Sequence, residues 1–297
     1  MENKISKIKR LILLHLKYFW NVVTIRKKLV DGKVSCIIFS RDRAMQLEVL
    51  LLSIQKYSIE DFPIIVQYSC SSNHESSYNR LITKFSNVNF IKEDRFRSTL
   101  LEILKSVKTR YLFFLVDDQV FIRDFKISQL LERMERRTIA SLRLGTNISN
   151  WGIRDVEYHP QYVMDGEFIR WKWRKNTYDF RYQFSVDATI YHTIDVLRCS
   201  MAIPFKAPNS YEANMNSVYL YKINNDGIAF KQQKVINLII NASRVESGYE
   251  QCESGEYTAD DMLKLYQEGR VLDIDKISAI KYNSAHHIIN DINTILD

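Results

Sequence analysis

The sequence predicts a parallel α/β fold. Three observations carry this expectation. An apolar run rich in branched residues occupies 34–40 and opens into charged residues, strand-like segments follow at 63–69 and at 111–116, the last closing in paired acids, and the segments between them have helical apolar spacing. Strands alternating with helices imply crossover connections and a sheet covered by helices. The chain of 297 residues, 46% apolar and 26% charged, is large enough to bury one large core or two ordinary ones. This balance excludes a disordered, collagenous or disulfide-scaffold chain. Eight glycines and four prolines argue against a Gly-rich phosphate loop and Pro-rich linkers.

Residues 1–33 are a basic arm. They hold nine of the 42 Lys and Arg and two of the 35 acids, so the remaining chain carries 33 of each and the arm accounts for the whole net charge of +7. A neutral body is a poor match to a nucleic-acid groove, so no nucleic-acid partner is expected. The longest apolar stretch between residues 5 and 30 is Leu11–Leu14, far short of the roughly 20 residues of a membrane span. No small-residue cleavage site follows, so no signal peptide is expected. As a helix, the arm sets Ile8, Leu11, Ile12, Phe19, Val22 and Val23 broadly on one side. It fits either a helix packed on the body or on a partner chain, or an interfacial helix on an anionic leaflet; Trp20, Tyr18 and the flanking bases favour the second.

The body begins with VSCIIFS (34–40), read as a buried strand that opens into Arg41-Asp42-Arg43. Helical spacing follows in 44–57, a strand in 63–69, a helix in 75–85, a short strand in 88–93 and a helix in 97–107. YLFFLVDD (111–118) is the most hydrophobic strand and closes in paired acids. Sites in parallel α/β sheets lie beyond the carboxyl ends of the strands, which selects Ser40–Arg43, Ser69–Ser72 and Asp117–Asp118. Two adjacent carboxylates there repel, and a divalent cation would relieve them. Mg²⁺ or Mn²⁺ takes one or two carboxylates plus diphosphate oxygens. The other reading is an acidic turn capping the next helix.

Further on, IRWKWRKNTYDFRYQF (169–184) mixes aromatics with bases. It suits stacking on sugar rings and equally a hairpin whose Trp171 and Trp173 fill the core. Thr258 with Asp261 three residues on reads as a capping box opening a helix. Glu246–Glu256 is polar, carries Gly248 and Gly255, and suits a mobile loop. Cys36, Cys70, Cys199 and Cys252 are far apart and lack zinc spacing; a buried free thiol at Cys36 and a reducing, cytoplasmic compartment fit. His286-His287 is read as a helix-surface pair, with a metal ligand as the alternative.

The Ser40-Arg41-Asp42-Arg43 strand end, the further strand–helix steps and FFLVDD resemble glycosyltransferases of the GT-A fold. SLRLGTNIS (141–149), WKW (171–173), YQFSVDATIY (182–191), PFKAPNSYE (204–212), NLIINASRVES (237–247) and YTADDMLKLYQEG (257–269) extend the likeness over residues 34–290. They narrow it to bacterial family-2-like glycosyltransferases linked to surface polysaccharide. The resemblance implies a GT-A domain at 34–256, with a nucleotide-binding half (34–120) and an acceptor half (121–256). The arm at 1–33 precedes it and a helical extension at 257–297 follows.

The resemblance further implies a nucleotide-diphosphate sugar donor, a divalent cation (Mn²⁺ or Mg²⁺), and a saccharide or lipid-linked saccharide acceptor, with inversion. Ser40, Arg41, Arg43 and Asp117 would contact nucleotide or phosphate, and Asp118 with Asp117 the metal. Glu212 would take the acceptor hydroxyl's proton and Asp187 would orient acceptor or sugar; a helix cap or surface ion pair is the alternative for each. Arg143 or Asn147 would lie near the sugar diphosphate, or Arg143 would be a salt-bridged strand residue. The expected location is cytoplasmic and peripheral on the inner face of the cell membrane.

Three departures from the family pattern stand out. Gln119 replaces a third acid, which leaves Asp118 as the main metal ligand. Tyr68-Ser69-Cys70-Ser71 lacks the acid that meets base or ribose in relatives. Ala188 stands where glycine is usual. Rival readings are a nucleotidyltransferase, which would usually show a Gly-rich phosphate loop, and a catalytically degenerate carbohydrate-binding or scaffold protein.

Overall fold

The computed structural model describes residues 4–152, 154–222, 226–241 and 257–297. The loop expected at 246–256 and Cys252 lie outside the described residues. In the first half, β1 (Val30–Arg41), β2 (Ile64–Ser69), β3 (Asn89–Lys92) and β4 (Thr109–Val116) pair in parallel in the order β3-β2-β1-β4. The crossovers are α2 (Ala44–Tyr57), α3 (Glu75–Lys84) and α4 (Phe96–Ser106), following α1 (Lys4–Thr24). Side chains alternate across a strand, so β1 and β4 split between two cores. Cys36, Ile38, Phe113 and Leu115 enter one; Ile37, Phe39, Leu112 and Phe114 enter the other. Both faces are therefore buried, which is why these segments are uninterrupted apolar runs. Cys36 is a fully buried free thiol, as expected.

Beyond β4 the sheet becomes mixed. After β5 (Gln119–Phe121) and α5 (Ser128–Leu131) come β6 (Thr138–Ser141), β7 (Asn150–Trp151), β8 (Val156–Glu157), β9 (Val163–Asp165), β10 (Phe168–Lys172), β11 (Thr189–His192), α6 (Thr193–Ala202), α7 (Pro208–Lys222) and β12 (Asp226–Phe230). The main sheet continues β4-β11-β6-β12-β10-β9, with β11 antiparallel to both neighbours. β13 (Val235–Ile239), α8 (Ala259–Gln267), α9 (Ile274–Ala279) and β14 (His286–Ile288) complete the described elements. β14, β13 and β5 form a small sheet beside the end of β4. The Thr258–Asp261 capping box is present at α8. Met262, Tyr266, Leu272 and Ile277 of the C-terminal segment are buried in the core that also takes Cys36 and Phe113.

The two tryptophans resolve to the core. Trp171 and Trp173 are buried, edge to face at 4.9 Å. Trp171 pairs directly with Gly227 on β12, and a Cβ built there would lie 2.1 Å from the indole. Helix α1 packs through Leu14, Tyr18 and Asn21, which are buried, whereas Ile8, Ile12 and Val23 of the expected apolar side are exposed.

The indole fills the space a larger residue at 227 would need. Gly227→Ala is expected to cost about 1–3 kcal/mol by overpacking, read as a lower urea midpoint with unchanged slope.

Candidate active site

The strand order reverses between β1 and β4, because β2 and β3 lie on one side of β1 and β4 on the other. Ligand crevices in open α/β sheets form at such a switch point, outside the carboxyl ends. The loop after β1 is shaped by Asp42, whose φ of 53° lies in the left-handed region, sparsely populated except by Gly, Asn and Asp. That turn sends the two arginines different ways. Arg41 keeps its side chain 44% exposed, its Nε 3.6 Å from Asp42, while its backbone N–H donates to Asp117 Oδ2 at 3.0 Å. Arg43 folds inward, and its Nη1 donates to Asp117 Oδ1 at 3.0 Å and Asp118 Oδ2 at 3.1 Å. Its Nη2 donates to the Asn241 carbonyl. Ser40 is buried, with its hydroxyl 2.6 Å from that of Tyr78, which also accepts the Arg43 N–H at 3.2 Å. Ser40 thus fixes the loop, Arg41 faces outward, and Arg43 neutralises the acids.

The two strand-end acids differ. Asp117 is 4% exposed and both its oxygens accept bonds from the β1 loop. Asp118 keeps its side chain 22% exposed. Burial raises its pKa to about 6, opposed by Arg43 and reinforced by the charges of Asp117 and Asp187. Gln119 is fully buried: its Oε1 accepts the Val116 N–H at 3.1 Å and its Nε2 donates to Asn237 Oδ1 at 2.9 Å. The Asn237 amide then turns its Nδ2 toward Asp118 Oδ1 at 3.5 Å. Among the described residues no three His, Cys, Asp or Glu are gathered about one metal position. The donor set therefore fits a cation that takes one protein oxygen, from Asp118, and its remaining ligands from a diphosphate and water. It does not fit an ion caged by protein.

Because β11 runs antiparallel to β4, the residues that precede it arrive at the same rim. Ala188 donates its N–H to Phe114 O at 2.8 Å and accepts the Leu142 N–H at 2.9 Å. Its φ is 47°, so alanine adopts the conformation for which glycine is usual, at about 1–2 kcal/mol. Asp187, one residue earlier, lies 3.5 Å from His286 Nε2. Burial alone would raise the Asp187 pKa and lower that of His286, but each partner reverses the shift in the other, so the pairing favours the charged form of both. His286 pairs with Asn237 in the small sheet. The expected helix-surface pair is instead strand β14, and His286 faces the acid expected to orient the substrate. Gly152 lets the chain pass this strand, since a Cβ there would lie 2.2 Å from His286 O.

Glu212 sits in the first turns of α7, with Oε1 accepting the Val186 N–H at 2.6 Å and Oε2 3.4 Å from the Tyr182 hydroxyl. Burial, then the charge of Asp187, pushes its pKa to about 7. Arg143, in the bend just after β6, is buried and donates to Asp179 at 2.8 Å, the salt-bridged reading. Asn147 donates to Gln233 and to the Tyr282 carbonyl, bracing a loop. The rim thus gathers Arg41, Asp118, Asp187 and Glu212 of the sequence-selected residues, and sets Ser40 and Asp117 behind them. Asn237 and Tyr182 were not selected from the sequence, and His286 entered only as the alternative metal ligand. The NLII and SAHHII motifs contain two of them, but strand pairing between distant segments brings them there, and no local spacing encodes it.

No family model matches the chain. It is 28% identical over 192 residues to the bifunctional glycosyltransferase pgtA of Dictyostelium discoideum, covering 57% of this chain and 25% of that protein. The chain therefore spans about a quarter of the length of this curated relative. Among solved structures, S. aureus TarS 1–349 aligns with a TM-score of 0.46 at 15% identity, over 68% of this chain and 59% of that one. Its complex with UDP gives a TM-score of 0.47 at 14% identity over the same shares.

Arg43 is the partner that both strand-end acids share. Arg43→Met should destabilise the fold by about 3–5 kcal/mol, because the buried Asp117 and the half-buried Asp118 lose their counter-charge. Adding Asp117→Asn should return part of that loss in a double-mutant cycle measured by urea unfolding.

Proposed function

We propose that the protein is a nucleotide-sugar glycosyltransferase. It would move a glycosyl group from a nucleotide diphosphate to a hydroxyl of a saccharide or lipid-linked saccharide, with inversion. The observation that carries this reading is Glu212, a carboxyl with its pKa near 7 beside a charged Asp187 at the switch-point rim. A general base works best with a pKa close to the operating pH. The similarity to part of a glycosyltransferase supports the same reaction class.

In this reading the diphosphate lies across the ends of β1 and β4, where the exposed Arg41 guanidinium pairs with phosphate. Asp118 would hold a divalent cation, Mn²⁺ or Mg²⁺, which when bound offsets the charge of the departing diphosphate. The acceptor oxygen attacks the anomeric carbon as Glu212 takes its proton. The bond from that carbon to the diphosphate oxygen breaks, and its electron pair leaves with the diphosphate. Asp187, held by His286, presents a fixed negative charge that orients acceptor or sugar hydroxyls. Tyr182 and the Val186 N–H hold the Glu212 carboxylate in place. A lipid-linked acceptor would put the enzyme on the inner face of the cell membrane, in peripheral contact through residues 5–30.

One feature favours the rival of a saccharide-binding protein without turnover: Arg43 already neutralises both strand-end acids. Calorimetry with UDP, GDP and dTDP, each with and without Mn²⁺, separates the two. A nucleotide preference strengthened by Mn²⁺, with the metal-dependent part lost in Asp118→Ala, is the expected result. Saccharide binding with no nucleotide bound supports the rival.

Transfer should rise with pH through about 7 as Glu212 loses its proton. Glu212→Gln should reduce turnover by about 100- to 10,000-fold, flatten that limb, and leave UDP affinity unchanged; a retained limb would move the base role to another group.

A further inference from the structure

Helix α1 has one face fixed to the body and one face left open. On the fixed side, Asn21 Nδ2 donates to the Arg198 carbonyl at 2.9 Å. The Arg198 guanidinium donates back to Ile25 O at 2.7 and 3.2 Å. Lys27 Nζ donates to Leu104 O at 3.0 Å, at the end of α4. These bonds tie the C-terminal end of α1 to α6 and α4. On the open side, Ile8, Ile12, Leu13, Leu16, Trp20 and Val23 are each 49–70% exposed. At about 100° per residue they fall in one arc of about 140°, which also holds Lys9 near the N-terminal end. An apolar stripe of this width on a helix marks an interaction surface.

The charge of the segment selects the partner. Lys9, Lys17, Arg26 and Lys28 are exposed on it, and the arm carries the entire net charge of the chain. A second copy of the same arm would bring like charge against like, and the neutral body offers no compensating field. No described helix is long and apolar enough to cross a membrane. The geometry points to an anionic bilayer surface: α1 lies in the plane of the leaflet, sinks the six apolar side chains into the headgroup–acyl boundary, and pairs its bases with acidic headgroups. This deepens the peripheral contact inferred above and does not depend on sugar transfer. Because α1 is bonded to α6 and also touches α7, the helix that carries Glu212, docking would hold the acceptor half at the lipid surface in one orientation.

Cosedimentation of the full-length protein with phosphatidylcholine vesicles, with and without phosphatidylglycerol, tests this. Binding is expected to the anionic vesicles and to weaken with salt. Leu16→Asp combined with Trp20→Asp changes two exposed positions, so the melting temperature should hold while the bound fraction falls by at least about tenfold. Brominated lipid should quench Trp20 fluorescence, a change lost in Trp20→Phe although that variant still binds. Calorimetry of the double variant with UDP keeps failure of the anchor distinct from failure of the donor site. Equal sedimentation of wild type and double variant overturns the proposal. So does a concentration-dependent dimer that Leu16→Asp dissolves, which would assign the face to a second copy.

Discussion

Two carboxylates placed side by side at the mouth of a buried strand cannot both be charged without an adjacent counter-ion, and Arg43 is that counter-ion. Its guanidinium bonds to Asp117, Asp118 and the Asn241 carbonyl. It thereby joins the end of β1, the end of β4 and the chain leaving β13. Asp117 completes the joint by accepting the Arg41 N–H. The rest of the rim is built against this ionic knot. With Arg43 and Asp117 committed to structure, Arg41 and Asp118 are the members of that charged set left for a ligand.

The geometry of the remaining site follows from one topological choice. Four parallel strands would deliver side chains to the rim only from their carboxyl ends. Inserting β11 antiparallel delivers Asp187 from an amino end, on a turn that forces Ala188 to a φ of 47°. The short sheet of β5, β13 and β14 then closes the opposite flank and supplies Asn237 and His286. Glu212 reaches the same opening from α7, anchored to the backbone just ahead of Asp187. Three independent layers therefore converge on one cluster of acids of different proton affinity. Asp187 is held charged by His286, whereas Glu212 is raised toward neutrality by burial and by Asp187. Environments that push neighbouring carboxyls apart are how acid–base roles are divided.

Much of this was legible in the residues. β1 and β4 were visible because strands buried on both faces are written as apolar runs, and the shorter β2 and β3 because helical spacing separates them. The paired acids stood out because they end the greasiest of those runs, and Glu212 because PFKAPNSYE carries the family resemblance. What sequence could not resolve was direction and partnership. Arg41 and Arg43 look equivalent, and only the backbone turn at Asp42 sends one outward and one inward. His286 carries no local motif, since its site role depends on strand pairing with Asn237. The tryptophans of 169–184 suited two purposes equally until Gly227 was found opposite one of them. On α1 the apolar residues surround so much of the helix that periodicity alone did not say which arc meets the protein.

A chain of hydrogen bonds has a direction, and Gln119 sets it. The run from the Val116 amide through the Gln119 carboxamide to Asn237 and on to Asp118 passes donor to acceptor at each link. A carboxylate at 119 could receive from Val116 but would have nothing to give Asn237. That asparagine would then invert and aim its oxygen at Asp118, replacing a weak attraction with a repulsion. The residue that departs from an acidic triplet is therefore a polarity lock: restoring an acid at 119 would undo the alignment of the Asp118 carboxylate.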